Sequence, residues 1–378
     1  MKFALLDLDA ELLTLAGALV ESGHKLLLAV QPGESEGALR ALAPEIRILN
    51  DWEGILACDA DAVLMGRPGD EAVRLEQLRL LAQEKVATVF LHPQTISTLA
   101  YYELDMHRQA TGVRLVSCEG LRHHPALAAL RASAGSDAPP PRIDQVICER
   151  RLGDRSRPAV LRQLASDLGA IRRLVGDCEK VSALGTIGDD PQAGHLGVQM
   201  TTDSGALVRW SIGPSAAGDE ARWTIVTEQG PIGWTIDRHG HAVLEHGDEK
   251  VAYTAREALH ATAAAVTAAL DDATNFAWRE ALADMEVVEA VERSLRKGRT
   301  VELFHEEASE QGTFKGLMAA GGCLLLVLSI GLAIAATIVG KFRLVIANAW
   351  PFVLLVVLVA FLLLQLLRFV FPRNDAKK

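Results

Sequence analysis

Cysteine is sparse in this sequence: Cys58, Cys118, Cys148, Cys178 and Cys323 are five scattered residues, none at the CxxC spacing of a zinc or redox site. An odd, dispersed set of this kind suits a reducing compartment. Positive charge is short as well. Against 48 acidic residues stand 38 Lys and Arg, a formal net charge of -10, so the basic surface that a phosphate backbone requires is missing and nucleic acid is not an expected partner. No export signal is expected, because Lys2 is soon followed by Asp7, Asp9 and Glu11 where an unbroken apolar run would be needed. With 378 residues the chain exceeds a single core, leaving room for two modest soluble domains and a membrane segment.

Long uncharged runs are confined to the last part of the chain. From Met318 to Val339 no charged residue occurs, and Ser329 and Thr337 are the polar side chains, over a length that matches the roughly 20 residues needed to cross a bilayer core. A second run extends from Leu344 to Leu367, interrupted by Asn348 and Gln365, with Trp350 and Pro351 placed as an interfacial aromatic and a first-turn proline. Helices buried in a soluble core normally keep a polar face, and neither run has one. Gly340 to Arg343 supplies a short turn, and Gly331 with Ala335 offers a small surface for close helix approach. A transmembrane hairpin is therefore expected over 316–371, with a tail at 372–378 and the lipid bilayer as partner. Lys297, Arg299 and Lys315 before it, with Arg368, Arg373, Lys377 and Lys378 after it, outnumber Lys341 and Arg343 in the turn. That bias predicts a cytoplasmic soluble body on a two-span anchor. Cys323, inside the first run, is either a lipidation site or a small buried hydrophobe.

In the body, Lys2 to Leu6 reads as a buried strand. Leu12, Leu15, Ala16, Leu19 and Val20 follow at helical spacing, Gly23 stops the helix, and Leu26 to Val30 begins another strand. Alternation continues with strands at Ala62 to Met65, Ala87 to Leu91 and Arg114 to Ser117 and helices at Glu71 to Gln83 and Thr95 to Ala110. The pattern predicts an α/β domain over 1–120, a Rossmann-like doubly wound parallel sheet. The run Pro139 to Pro141 marks a surface loop. Beyond it, strands at Val181 to Thr186, Leu196 to Thr201, Ala206 to Ile212, Trp223 to Thr227 and Ile232 to Ile236 are separated by turn residues, with helices at Ala159 to Leu174 and Trp278 to Lys297. Over 121–310 this predicts an α+β domain with an open, mostly antiparallel sheet.

The stretches Asp61-Ala62-Val63-Leu64-Met65-Gly66-Arg67-Pro68-Gly69-Asp70, Gly112-Val113-Arg114-Leu115, Leu121-Arg122-His123-His124-Pro125, Met285-Glu286-Val287-Val288-Glu289-Ala290 and Val301-Glu302-Leu303 stand out by their order and spacing. Together they resemble the glucose-fructose oxidoreductase and inositol dehydrogenase (Gfo/Idh/MocA) family. The resemblance implies a Rossmann domain followed by an open-sheet domain, and NAD(P)-dependent oxidation of sugars or polyols. Its functional positions carry over poorly. Where the dinucleotide fingerprint needs glycines, the sequence has Asp7, Asp9 and Leu12, two carboxylates that would repel a diphosphate. The acidic ribose contact falls near Gln31 and Pro32, and the family's Glu-Lys-Pro becomes Leu91-His92-Pro93. Its paired aspartate and histidine fall on Arg162 and Ser166, neither a credible general base.

His92 is the remaining candidate proton carrier, since an imidazole titrates near neutrality, and a structural histidine beside a proline is the plainer reading. Asp167 is either a ligand contact or a solvated helix residue. For Arg122 and His123, with His124 alongside, substrate contact and surface packing are both open. His239, His241 and His246 have no cysteine or carboxylate at fixed spacing, so a solvated turn and no metal site are expected. The sequence thus predicts a membrane-anchored protein with eroded cofactor and catalytic motifs and no cofactor. Its expected role is a noncatalytic module binding a sugar-like ligand or a protein partner, with oligomers allowed. Two alternatives are an atypical NAD(P)-dependent oxidoreductase acting on a sugar or polyol and a structural component of a membrane complex.

Overall fold

The computed structural model describes residues 1–132, 142–215, 218–237, 239–272, 274 and 276–303. Among these residues no helix is long and apolar enough to cross a membrane; the runs expected to span one, 316–371, and the tail at 372–378 lie outside them. The described residues belong to one compact unit, Met1–His305, built on two sheets.

The first sheet is formed by β1 (Lys2–Leu6), β2 (Lys25–Val30), β3 (Arg47–Leu49), β4 (Ala62–Met65), β5 (Thr88–Leu91) and β6 (Leu115–Cys118), with α1 (Ala10–Glu21), α2 (Glu36–Leu42), α3 (Glu71–Gln83) and α4 (Thr98–Thr111) in the crossovers. All strands run parallel in the order β3-β2-β1-β4-β5-β6. This is the doubly wound arrangement, whose strand order reverses between β1 and β4. The residues of β4, β5 and β6 are buried throughout, as strands covered on both faces must be, and so they read as continuous apolar runs. Local chemistry sets the helix ends. Asp9, Asp70 and Ser97 cap α1, α3 and α4 through their side chains, and Gly112, in the left-handed region, closes α4.

After α5 (Pro125–Ala132) the chain enters the second sheet. Its strands are β7 (Ile143–Leu152), β8 (Cys178–Thr186), β9 (His195–Thr202), β10 (Leu207–Pro214), β11 (Glu220–Thr227), β12 (Gly230–Ile236), β13 (Ala242–His246), β14 (Glu249–Tyr253) and β15 (Val301–Glu302). Their order is β14-β13-β12-β11-β7-β10-β9-β8-β15, antiparallel except where β7 lies parallel to β10. Alternating burial along β10 and β11 places Trp210 and Trp223 on the covered face. That face is packed by α6 (Arg157–Val175) and α8 (Phe276–Lys297), and its core is continuous with residues of the first sheet. Between β14 and α8, α7 (Ala255–Asp271) returns to the first sheet. It packs on α1 and adds Ala263, Val266 and Leu270 to the cluster around Phe3, Leu5 and Leu64.

Candidate functional site

A ligand of a doubly wound sheet enters the crevice beyond the carboxyl ends of the strands at the switch point. Here that crevice is bounded by the turns after β1 and β4. Asp7 adopts a φ of 53°, so the left-handed turn that glycine usually makes is retained by a residue that tolerates it. Burial raises the Asp7 carboxyl above its ordinary range, with Arg74 opposing. Asp9 Oδ1 accepts the Leu12 backbone N–H at 2.7 Å and Oδ2 accepts that of Arg67 at 3.0 Å. The first-turn donor and the donor at the neighbouring strand end, which an anion at this helix terminus would engage, are thus satisfied by the protein's own carboxylate. Leu12 is fully buried and fills the space that a third glycine leaves for close helix–strand packing. Gly66 has to be glycine, because a Cβ there would run into the Asp7 carbonyl oxygen.

Arg67 closes the crevice further. Its guanidinium donates to Glu11 on α1 at 2.7 Å and to the His92 carbonyl at 2.8 Å, tying α1 to the end of β5. The residues of this turn therefore do not fit a pyrophosphate. Gln31, near the expected ribose contact, also takes a positive φ and donates to the Asn50 carbonyl.

The segments after β5 and β6 meet α8 beneath the crevice. His92 is 1% exposed; its Nδ1 lies 3.1 Å from the Tyr101 hydroxyl, and its Nε2 has no hydrogen-bond partner. Burial first, then Arg67, Arg122 and Arg172, lowers the imidazole pKa to about 3, so the ring is neutral at physiological pH. Glu119 is also 1% exposed, and burial, with Asp284 adding to it, raises its pKa to about 8. Its Oε1 accepts from the Ser117 hydroxyl at 3.1 Å, while Oε2 has no partner. Arg172 of α6 donates to Asp284 Oδ1 at 2.5 Å.

The other residues singled out in the sequence are divided. Arg122, with substrate contact or surface packing open from sequence, is buried and paired with Glu280 of α8; its position under α8 leaves it no solvent face. His123 is half-buried beside it, its pKa lowered to about 3 by burial first and then by Arg122 and Arg173. Asp167 is the clearest correction to the expectation of a ligand contact or solvated side chain. It faces the second sheet with no exposure and accepts from Arg150 Nε at 2.9 Å and Trp210 Nε1 at 2.7 Å. Arg162 is exposed, and Ser166, one turn later, is half-buried. Partial burial first, then the charges of Arg67 and Arg74, lower the Arg162 pKa. In the β12–β13 turn the His239 and His241 backbone N–H groups donate to Asp237. Sequence reasoning missed Glu119 and Asp284, for which no local motif exists.

No family model matches the sequence and no curated protein matches it. Solved structures do. An oxidoreductase from Agrobacterium radiobacter, in complex with NAD+, L-tartaric acid and magnesium, is 14% identical, with 80% of this chain and 98% of that one covered at a TM-score of 0.62. For a myo-inositol dehydrogenase from Corynebacterium glutamicum the values are 14%, 81%, 99% and 0.63. For an apo scyllo-inositol dehydrogenase from Lactobacillus casei they are 13%, 80%, 98% and 0.59. The chain has the fold of these proteins. At this identity the likeness is one of fold, and the Rossmann-like parallel sheet with its mixed-sheet partner accounts for it.

Proposed function

We propose that the protein is a noncatalytic binding module on an oxidoreductase fold, taking a sugar-like ligand or a protein partner at the rim of the crevice. The observation that carries this reading is Asp9, whose carboxylate engages the backbone donors at the start of α1 and after β4. Hydride transfer from an alcohol also needs a group to take the hydroxyl proton. His92 is enclosed and its pKa is about 3, far from the near-neutral value that suits the task. Arg162 and Ser166 on α6 are the side chains we assign to ligand contact. The uncharged runs in 316–371 support a membrane anchor for this module, with the body on the cytoplasmic side.

An atypical NAD(P)-dependent oxidoreductase acting on a sugar or polyol is the second reading. Taken alone, the comparisons favour it over the first, since a protein of this fold is seen with NAD+. Calorimetric titration with NADH and NADPH, followed by a sugar and polyol screen for absorbance change, separates the two. The first reading expects dissociation constants no tighter than about 1 mM. Micromolar binding, with turnover abolished by His92→Ala, would establish the second.

A further inference from the structure

We propose that His92, Glu119 and Asp284 bind one divalent transition-metal ion that ties the ends of β5 and β6 to α8. Each residue offers one ligand atom, and the three atoms lie within 4.8 Å of one another, the one group of three or more His, Cys, Asp or Glu residues so arranged among the described residues. A metal with bonds of roughly 2.1 Å holds its ligand atoms about 3 to 3.5 Å apart. Small side-chain rotations close that difference.

A metal-binding histidine generally gives its second ring nitrogen to a polar partner that fixes its orientation, and ligating carboxylates are held likewise. All three residues have such a partner. Tyr101 holds His92 Nδ1, Ser117 holds Glu119 Oε1 and Arg172 holds Asp284 Oδ1, at 3.1, 3.1 and 2.5 Å. Of the atoms left to face the ion, His92 Nε2 and Glu119 Oε2 are buried without hydrogen-bond partners, although buried polar atoms are rarely left so.

Charge and space agree with this reading. Arg122 is engaged by Glu280, and Arg172 by Asp284 and Asp177; Glu119 has no ion pair among the described residues. A divalent ion neutralises Glu119, the carboxylate without an ion pair, and shares Asp284 with Arg172, and a ligand set of one imidazole and two carboxylates suits zinc, manganese or iron(II). On α6, Gly169 makes the room, since a Cβ there would collide with Glu119 Oε2. The site does not depend on whether a dinucleotide binds.

The rival state is metal-free, with a proton on Glu119 shared toward His92 or Asp284. Full-length protein, purified in detergent and stripped with a chelator, distinguishes them on titration with zinc chloride and, separately, manganese chloride. We expect one equivalent bound, a melting temperature that rises with metal concentration, and visible absorption bands when cobalt(II) is substituted. Glu119→Gln should weaken binding by at least about 100-fold, and Tyr101→Phe, which removes the partner of His92 together with the acceptor of the Gln94 backbone N–H, by about tenfold. Wild-type protein that binds no equivalent, or Glu119→Gln that binds as tightly as wild type, overturns the proposal. Should Glu119→Gln fail to fold, the wild-type titration and Tyr101→Phe still decide it.

Discussion

Asp9 caps α1, bonds to the strand-end amide of Arg67 and stands where an anionic ligand would stand. Its replacement therefore reads on stability before it reads on binding. Asp9→Ala removes both acceptors, and loss of an N-cap costs about 1 kcal/mol; urea titration should show that decrease, with the m-value unchanged. A larger effect is expected at Asp167. It is fully buried against Arg150, and breaking a buried pair by removing one partner costs roughly 3 to 5 kcal/mol because the other charge stays behind. Asp167→Asn should lower the free energy of unfolding by that amount, read as a reduced denaturant midpoint at unchanged m-value. A variant with wild-type stability and altered ligand binding would restore the crevice role the sequence allowed. The difference in legibility between these residues is one of range. Asp7, Asp9 and Leu12 stand together where glycines would be needed, so that departure shows in a six-residue window even though Asp9 also reaches the Arg67 amide, whereas Asp167 is defined by Arg150 and by Trp210, 43 positions away.

At the scale of elements, buried parallel strands and amphipathic helices could be read from period and apolar runs, and the bounds of β1, β4 and α3 match the expected ones. The sequence did not reveal β7, the strand that joins β10 and β11 at the middle of the second sheet. Its residues IDQVICERRL alternate, but half of them are polar and no continuous apolar run marks the strand. Nor did it reveal α7, an alanine-rich helix whose buried face is small and whose capping box at Thr254 and Glu257 lies far from the sheet it covers. The start of α5 gives a pH dependence. His124 Nδ1 accepts the Ala126 N–H at 3.1 Å, and the ring packs against Trp234 and Tyr253. Burial, opposed by Glu257, lowers its pKa to about 4. An unfolded histidine titrates near 6.5, so between about pH 6.5 and 4 the unfolded chain binds the extra proton. Stability from this group is complete above about pH 6.5 and lost as pH falls through about 4. Denaturation midpoints measured at pH 7 and pH 4.5 should differ more in wild type than in His124→Gln.

For the whole molecule, the two sheets share one core. Phe90 of the first sheet and Tyr101 of α4 meet Trp278 on α8, and Thr98 Oγ1 donates to the Met285 carbonyl. Since α7 and α8 both return to the first sheet after the second has been built, neither sheet's core is complete without residues 255–297. The two should therefore unfold together. Residues beyond 305 lie outside this unit, and the apolar faces within it are buried against one another, so a chain ending at His305 should fold without the segment that follows. We expect it to be obtained without detergent and to give one transition, with tryptophan fluorescence and far-ultraviolet dichroism coinciding as two-state behaviour requires. Two separated transitions would mean that the sheets are independent. Detergent-dependent solubility, or no cooperative transition at all, would mean that the body leans on residues 306–378 to hold its shape.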